Sequence, residues 1–312
     1  MCAQRTPEAN GSEASWALPG EAAGFGAEPH YKRRECKMNI LNAIKESIVF
    51  IDGGTGTELQ KQGLTFDPVL ANLSHPHIVQ NLHKAYVNAG ANIITANTFG
   101  AYSHKYDNFA EIIDAAFNNA KAASKANWIA LDMGPTGLLL EPYGDVPEEE
   151  VAAIFAQTIA CGVKNGADLI LIETMMDLNE LEIAVTEAKK ANIPVFATMS
   201  FNANGRTMYG TSIQNMVDTL TGLNVDALGM NCGEGLDPYT ALIPELLSAA
   251  TLPVILQPNA GLPEVVDGVA TYNISPQEYA DFMAEMAGLG VKILGGCCGT
   301  EPAHIAKMVS GL

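Results

Sequence analysis

Cys232 lies in Met230-Asn231-Cys232-Gly233, and an adjacent pair, Cys297-Cys298, lies in Gly295-Gly296-Cys297-Cys298-Gly299-Thr300. Neighbouring cysteines can ligate one metal only where the backbone turns sharply, and Gly295, Gly296 and Gly299 supply that freedom. Three thiolates without a fourth cysteine nearby describe an open zinc site, because structural zinc is usually closed by four protein ligands. Zinc with three thiolates carries a net charge near −1, which makes it a poor activator of water. Such a site suits an incoming thiol, whose proton affinity it lowers while the sulfur stays nucleophilic. The chemistry expected is alkylation of sulfur. Two plainer readings compete: simple packing of cysteine in a core, and a redox disulfide across Cys297-Cys298.

Further candidates surround these cysteines. Asp52-Gly53-Gly54-Thr55-Gly56-Thr57-Glu58 is a glycine-rich turn whose backbone N–H groups can nest a carboxylate. Asp52 beside Gly53, Gly54 and Thr55 could thus read both charged ends of an amino acid. Glu173, in Ile172-Glu173-Thr174, can pair with a substrate ammonium or with a neighbouring cation of the protein. Asn97, in Asn97-Thr98-Phe99-Gly100, is a further candidate substrate contact. Asn259, in Gln257-Pro258-Asn259-Ala260-Gly261, can offer an amide oxygen to the metal when substrate is absent, although thiolates are better zinc ligands. His75, His77, His83, His104 and His304 show no metal-protease spacing. They read as surface or capping residues, and Cys161 reads as core.

Residues so far apart in sequence need a fold that gathers them. After Met38, short apolar runs alternate with longer amphipathic stretches. The runs are Ile48–Asp52, Asn92–Ala96, Trp128–Asp132, Asp168–Glu173, Pro194–Ser200, Asp226–Asn231, Pro253–Gln257 and Val291–Gly295. Apolar character on both faces is what a covered parallel strand requires. Between them, Pro147 is expected at N1 of one helix. Ser275 and Glu278 form a capping box on another that ends near Gly290. Residues 110–126 read as a helix with Ile112, Ile113, Ala116 and Phe117 on one face. The pattern predicts a single-domain α/β fold, a (β/α)8 TIM barrel over residues 38–312. An open doubly wound sheet is the alternative, but no G-x-G-x-x-G follows the first run. Barrel active sites lie at the C-terminal strand ends, where all these candidates fall.

Residues 1–37 lack a sustained period and are expected to be a disordered leader or start-site extension. They carry Cys2 and Cys36, which are set apart from the site. The chain of 312 residues has 35 acidic and 17 basic side chains, a net charge of −18 that argues against a nucleic-acid partner. No run is long and apolar enough to span a membrane. Six cysteines in a chain with a large core and no signal-peptide pattern point to a reducing cytoplasm.

Together these motifs resemble the homocysteine S-methyltransferase family, and within it the homocysteine-binding module of cobalamin-dependent methionine synthases. The matching stretches are Asp52–Glu58, Thr95–Ala101, Met133–Gly137, Ile172–Thr174, Gly229–Cys232, Gln257–Gly261 and Gly295–Thr300, within about residues 45 to 310. The resemblance implies zinc held by Cys232, Cys297 and Cys298, with homocysteine sulfur as fourth ligand and methionine as product. It also implies substrate recognition by Asp52, the Gly53–Thr55 backbone and Glu173. Asn97-Thr98-Phe99-Gly100 looks like the cobalamin-linked form of the motif. The full cobalamin enzymes continue into further modules, whereas this chain stops at Leu312. Methylcobalamin on a separate corrinoid protein is therefore the expected donor. S-methylmethionine, S-adenosylmethionine or a betaine are the alternatives. A non-catalytic zinc- or homocysteine-binding module of a larger complex is the reading of another class.

Overall fold

A computed structural model describes residues 38–266 and 269–312; the expected leader, residues 1–37 with Cys2 and Cys36, lies outside the described residues. The chain opens with α1 (Ile40–Glu46), β1 (Val49–Phe50), α2 (Thr55–Lys61), α3 (Ala71–Ser74) and α4 (Pro76–Asn88), with a 3-10 turn at Pro68–Leu70. Then come β2 (Ile93–Thr95), α5 (Phe109–Ala123), β3 (Trp128–Met133), α6 (Glu148–Lys164), β4 (Leu169–Met175), α7 (Leu178–Lys189) and β5 (Val195–Met199). Next are α8 (Ile213–Gly222), β6 (Ala227–Asn231), α9 (Tyr239–Ala249) and β7 (Val254–Gln257). The last are β8 (Glu264–Val266), β9 (Val269–Thr271), α10 (Pro276–Leu289), β10 (Ile293–Leu294) and α11 (Pro302–Gly311).

Eight parallel strands run in the order β1-β10-β7-β6-β5-β4-β3-β2. A parallel bridge from Ile51 to Ile93 joins the two ends, with Asn92 N donating to Phe50 O at 2.7 Å and Asp52 N to Ile93 O at 3.2 Å. The expected (β/α)8 barrel is the fold, and each expected run supplies one barrel strand. The added element is the antiparallel hairpin β8–β9, inside the segment between β7 and α10.

The strands are apolar on both faces because each face meets a different core. Val49, Ile51, Ile93, Ala130, Leu169, Leu171, Phe196, Ala227, Ile255 and Ile293 fill the barrel interior, and Ile40, Ala43 and Ile44 of α1 join them. Residues one position out of phase, such as Ile94, Leu131, Ile170 and Ile172, pack against the outer helices. Side chains on a strand alternate with a period of two, so the inward face continues beyond the apolar core. The inward face that is Leu171 in β4 becomes Glu173, Ala130 becomes Asp132, and Ile255 becomes Gln257. The rows that fill the barrel thus hand over to polar groups at its C-terminal rim.

Local signals hold with small shifts. Ser275 and Glu278 form the expected capping box, and Gly290 ends α10 at φ +121. Helix α5 spans Phe109–Ala123 with Ile112, Ile113, Ala116 and Phe117 buried. Pro147 is the N-cap of α6 rather than N1, in an extended conformation at ψ 152. The surface or capping role expected of His83 is overturned: it is fully buried in α4, and burial lowers its proton affinity to a pKa of about 4. His304 does cap α11, accepting from Glu301 N at 3.1 Å, but it too is buried. Cys161 is partly buried against the outer core.

At Gly229 the backbone of β6 leaves no room for a side chain beside β7. A Cβ at this position would fall 2.0 Å from the Ile255 carbonyl oxygen, and backbone cannot rotate away as a side chain can. We expect Gly229→Ala to cost about 1–3 kcal/mol, the range for overpacking a filled interior. A urea-unfolding midpoint equal to wild type would disprove this close approach.

Candidate functional site

The cysteines come from strands that flank β7, since β6 and β10 are its neighbours in the sheet. Strands two apart lie roughly 9.5 Å from each other at ordinary sheet spacing. Yet the Sγ atoms of Cys232, Cys297 and Cys298 all lie within 4.8 Å of one another. Both segments therefore fold inward over the end of β7. Cys232 N donates to Gln257 O at 3.1 Å, Cys297 N to Pro258 O at 3.0 Å, and Ala260 N to Cys298 O at 3.0 Å. Cys232 makes its turn at φ +51, a left-handed conformation unusual for a non-glycine residue.

Asn231 braces that turn. Its Oδ1 accepts from Thr174 N at 2.8 Å and from Thr198 Oγ1 at 2.7 Å. Its Nδ2 donates to Thr174 Oγ1 at 2.7 Å and reaches Cys297 Sγ at 3.9 Å. Thr174 itself stands at φ +60, costly for a β-branched residue. One buried amide thus holds two strained turns and touches one thiol.

The three cysteines fit a metal ion. Tetrahedral zinc with Zn–S bonds of about 2.3 Å places its sulfurs roughly 3.8 Å apart, within the spread seen here. Thiol proton affinities point the same way. Donation from Cys232 and Cys297 holds the Cys298 thiol far below its ordinary range. Sharing with Cys232 and Cys298 holds Cys297 far above it. The three thiols share their protons with one another, so a cation that replaces those protons can take all three sulfurs as thiolates. Asn259 is the residue expected to add an oxygen donor. Its Nδ2 donates to Gly233 O at 2.9 Å, while its buried Oδ1 has no hydrogen-bond partner.

The cysteines form one wall of a pocket of about 420 Å³ at the C-terminal rim, whose lining includes Asp52, Gly53, Gly54, Thr55, Asn97, Asp132 and Glu173. All the sequence-predicted candidates except Asn259 line it; Asn259 sits beside it, just past the end of β7. The glycine turn is packed onto the cysteine turn. A Cβ on Gly54 would stand 2.6 Å from Cys297 O, and Gly54 N donates to Thr300 O at 3.0 Å. The nest expected of Gly53–Thr55 is thus partly spent inside the protein. Thr55 and Gly56, at the start of α2, still present N–H groups without intrahelical partners. Asn97 donates to Pro68 O at 2.8 Å, holding the 3-10 turn against the rim.

The acids of the pocket differ in their partners. Asp52 accepts from Thr95 N and Thr95 Oγ1, each at 3.0 Å. Glu173 accepts from Gln257 Nε2 at 3.0 Å rather than forming an ion pair. Burial pushes Asp52 up to about 8 and Glu173 up to about 7. Asp132, a residue that the motifs alone do not single out, is buried beside them. Desolvation, then the nearby Glu173 and Asp52, holds its carboxyl well above the carboxylate range. The signal that finds it is the strand period, because Asp132 continues the inward face of Ala130.

Asp52 gives a pH test. Between its ordinary value of 3.8 and about 8, the native state keeps a proton that the unfolded chain has lost. The native state then binds more protons, so this contribution to stability falls as pH rises through that window. We expect the stability of Asp52→Asn relative to wild type to rise from pH ~5 to pH ~8 in metal-free protein. Thermal unfolding of both proteins across that range measures it, and a constant or falling difference would refute it.

Comparison with known proteins accords with this geometry. The family described as homocysteine S-methyltransferase matches residues 49–312. Methionine synthase of Mycobacterium tuberculosis is 29% identical over 302 residues, covering 88% of this chain and 25% of that protein. Methionine synthase of Mycobacterium leprae is 28% identical over the same length and coverage. The chain thus spans about a quarter of these curated relatives. Crystal structures of the homocysteine methyltransferase MmuM from Escherichia coli share the fold. The apo form has a TM-score of 0.71 at 23% identity, covering 88% of this chain and 100% of that one. The metallated form has a TM-score of 0.73 at 22% identity, covering 87% and 99%. The eight-stranded barrel, the cysteine cluster at its rim and the match over residues 49–312 establish that this chain belongs to the homocysteine S-methyltransferase family.

Proposed function

We propose that this chain binds zinc through Cys232, Cys297 and Cys298 and transfers a methyl group to the thiol of homocysteine, giving methionine. The observation that carries the reading is the convergence of three Sγ atoms within 4.8 Å on the wall of an acidic pocket. A bound zinc ion would supply a cation that lowers the proton affinity of the substrate thiol and keeps its sulfur nucleophilic. The chain's own residues do the rest. Glu173 accepts from the substrate ammonium, Asp52 shapes the amino-acid end of the pocket, and the N–H groups of Thr55 and Gly56 face the carboxylate. Asn259 Oδ1 offers a donor to the metal when no substrate sulfur is present. Asn231 keeps the cysteine segments in register.

In the transfer, the sulfur forms a bond to the methyl carbon as the carbon–donor bond breaks in line, and the electron pair of that bond leaves with the donor. Methylcobalamin on a separate corrinoid protein is the proposed donor. The likeness to two methionine synthases and the Asn97-Thr98-Phe99-Gly100 segment support that choice. A cytoplasmic location is part of this reading, on the cysteine content: the four described cysteines are free thiols, which a reducing compartment preserves.

The test is methionine formation from homocysteine and methylcobalamin by zinc-loaded protein. Formation should stop with a chelator and return with added zinc. Cys297→Ala should lose bound zinc and at least about 100-fold in turnover, as for other losses of a transition-state contact worth roughly 3 kcal/mol. Undiminished turnover in that variant, or in metal-free protein, would sink the zinc reading. Methionine formed from S-methylmethionine but not from methylcobalamin would move the donor to the sulfonium class.

A further inference from the structure

The carboxylates of the pocket are not equivalent. Asp52 is occupied by both donors of Thr95, and Glu173 by the Gln257 amide. Asp132 is different. Its backbone is fixed by Thr98, whose hydroxyl donates to Asp132 O at 2.8 Å and accepts from Asp132 N at 3.1 Å. Its side chain is left over: Oδ1 is buried and has no hydrogen-bond partner. Only 8% of the residue is exposed, and that part lies on the pocket wall. No described ion pair includes it, and the one basic residue among the pocket's lining, Lys105, is an exposed side chain at the outer rim.

A buried carboxylate without donors is costly, and a ligand that supplies charged N–H groups removes the cost. An ammonium brings a positive charge and up to three donors. A hydroxyl at the same place brings one donor and no charge, and a methyl brings neither, so each matches Asp132 less well than an ammonium does. The barrel geometry favours this position, since the strand period aims Asp132 and Glu173 inward from adjacent strands β3 and β4.

We propose that Asp132 determines specificity for thiol substrates that carry a free α-ammonium group, acting as its principal carboxylate acceptor alongside Glu173. This rests on the thiol-methylation reading above and adds to it which residue rejects thiols of the same length that lack the amine. Asp132 takes no part in binding the sulfur or the metal, so its loss changes preference between substrates rather than metal content.

The test compares two thiols on zinc-loaded protein by calorimetry. L-homocysteine carries the ammonium; 4-mercaptobutanoate keeps the thiol and carboxylate and lacks it. Wild type should prefer homocysteine. Asp132→Asn should reduce that preference about 10- to 100-fold, the value of a hydrogen bond to a charged group. Its affinity for 4-mercaptobutanoate and its zinc content should stay within about twofold of wild type. Asp132→Ser, which removes charge and bulk together, should lose the preference equally. Should Asp132→Asn fold poorly, this second variant still decides the matter. A preference retained in both variants overturns the role of Asp132 while leaving thiol methylation intact. Equal weakening of both thiols overturns it too, because that marks a structural role. Binding of neither thiol by zinc-loaded wild type overturns both this assignment and the reading it rests on.

Discussion

Sulfur atoms within 4.8 Å of one another cannot all be anionic without a cation between them. Much of the rim can be understood as the cost of placing them there. Strands β6 and β10 are held apart by β7, so each cysteine segment must leave its strand direction to meet the other. Cys232 does so through a left-handed residue, and Thr174 beside it does the same. Such conformations persist only where the surroundings overdetermine them. Asn231 provides that, with bonds to both backbone and side chain of Thr174 and a contact to Cys297. The glycine turn after β1 completes the arrangement, because only a residue without Cβ lets that turn lie against Cys297 O.

The pocket repeats the same electrostatic theme with oxygen in place of sulfur. Asp52, Asp132 and Glu173 are brought into low-dielectric surroundings where their charged forms are disfavoured. Bound protons can balance them. A ligand with an ammonium does the same job with more donors and in a fixed place. Under the proposed function each half of the rim would hold a cation: the metal at the sulfurs, the ammonium at the carboxyls. A substrate bearing a thiol and an amine a few bonds apart matches both, and this complementarity is independent of any likeness to known proteins.

Most of the barrel is legible in the sequence because its signals are local and physical. Parallel strands covered on both sides must be apolar on both faces, so Leu169–Ile172 and Val254–Leu256 stand out. The cysteines are legible because glycines flank them and each segment follows a strand. Other features depend on contacts that sequence does not print. The hairpin β8–β9 is only a few residues per strand, with Glu264 and Val265 exposed, and lacks the apolar run of a buried strand. His83 reads as a surface residue, yet the helix phase buries it with Val79, Leu82 and Tyr86. Gly54 reads as free to bind a ligand, but its N–H is taken by Thr300, more than two hundred residues away. Asp132 gives no signal by itself, since an acid at a strand end could equally face solvent until the phase of Ala130 is known.

β7 joins the sulfur and carboxyl halves. The Gln257 backbone oxygen receives Cys232 N, and the Gln257 side chain donates to Glu173. One residue later, Pro258 O receives Cys297 N, and Ala260 N binds Cys298 O. Each cysteine segment, and one pocket carboxylate, is therefore measured against the same short stretch from Gln257 to Ala260. Gln257, the last residue of β7, is held by strands on both sides, and the three residues that follow it start from that fixed point. That explains how chemistry gathered from distant parts of the chain can keep a fixed geometry: β6, β10 and β4 deliver the groups, and the end of β7 sets the spacing between the clustered sulfurs and the carboxyl of Glu173.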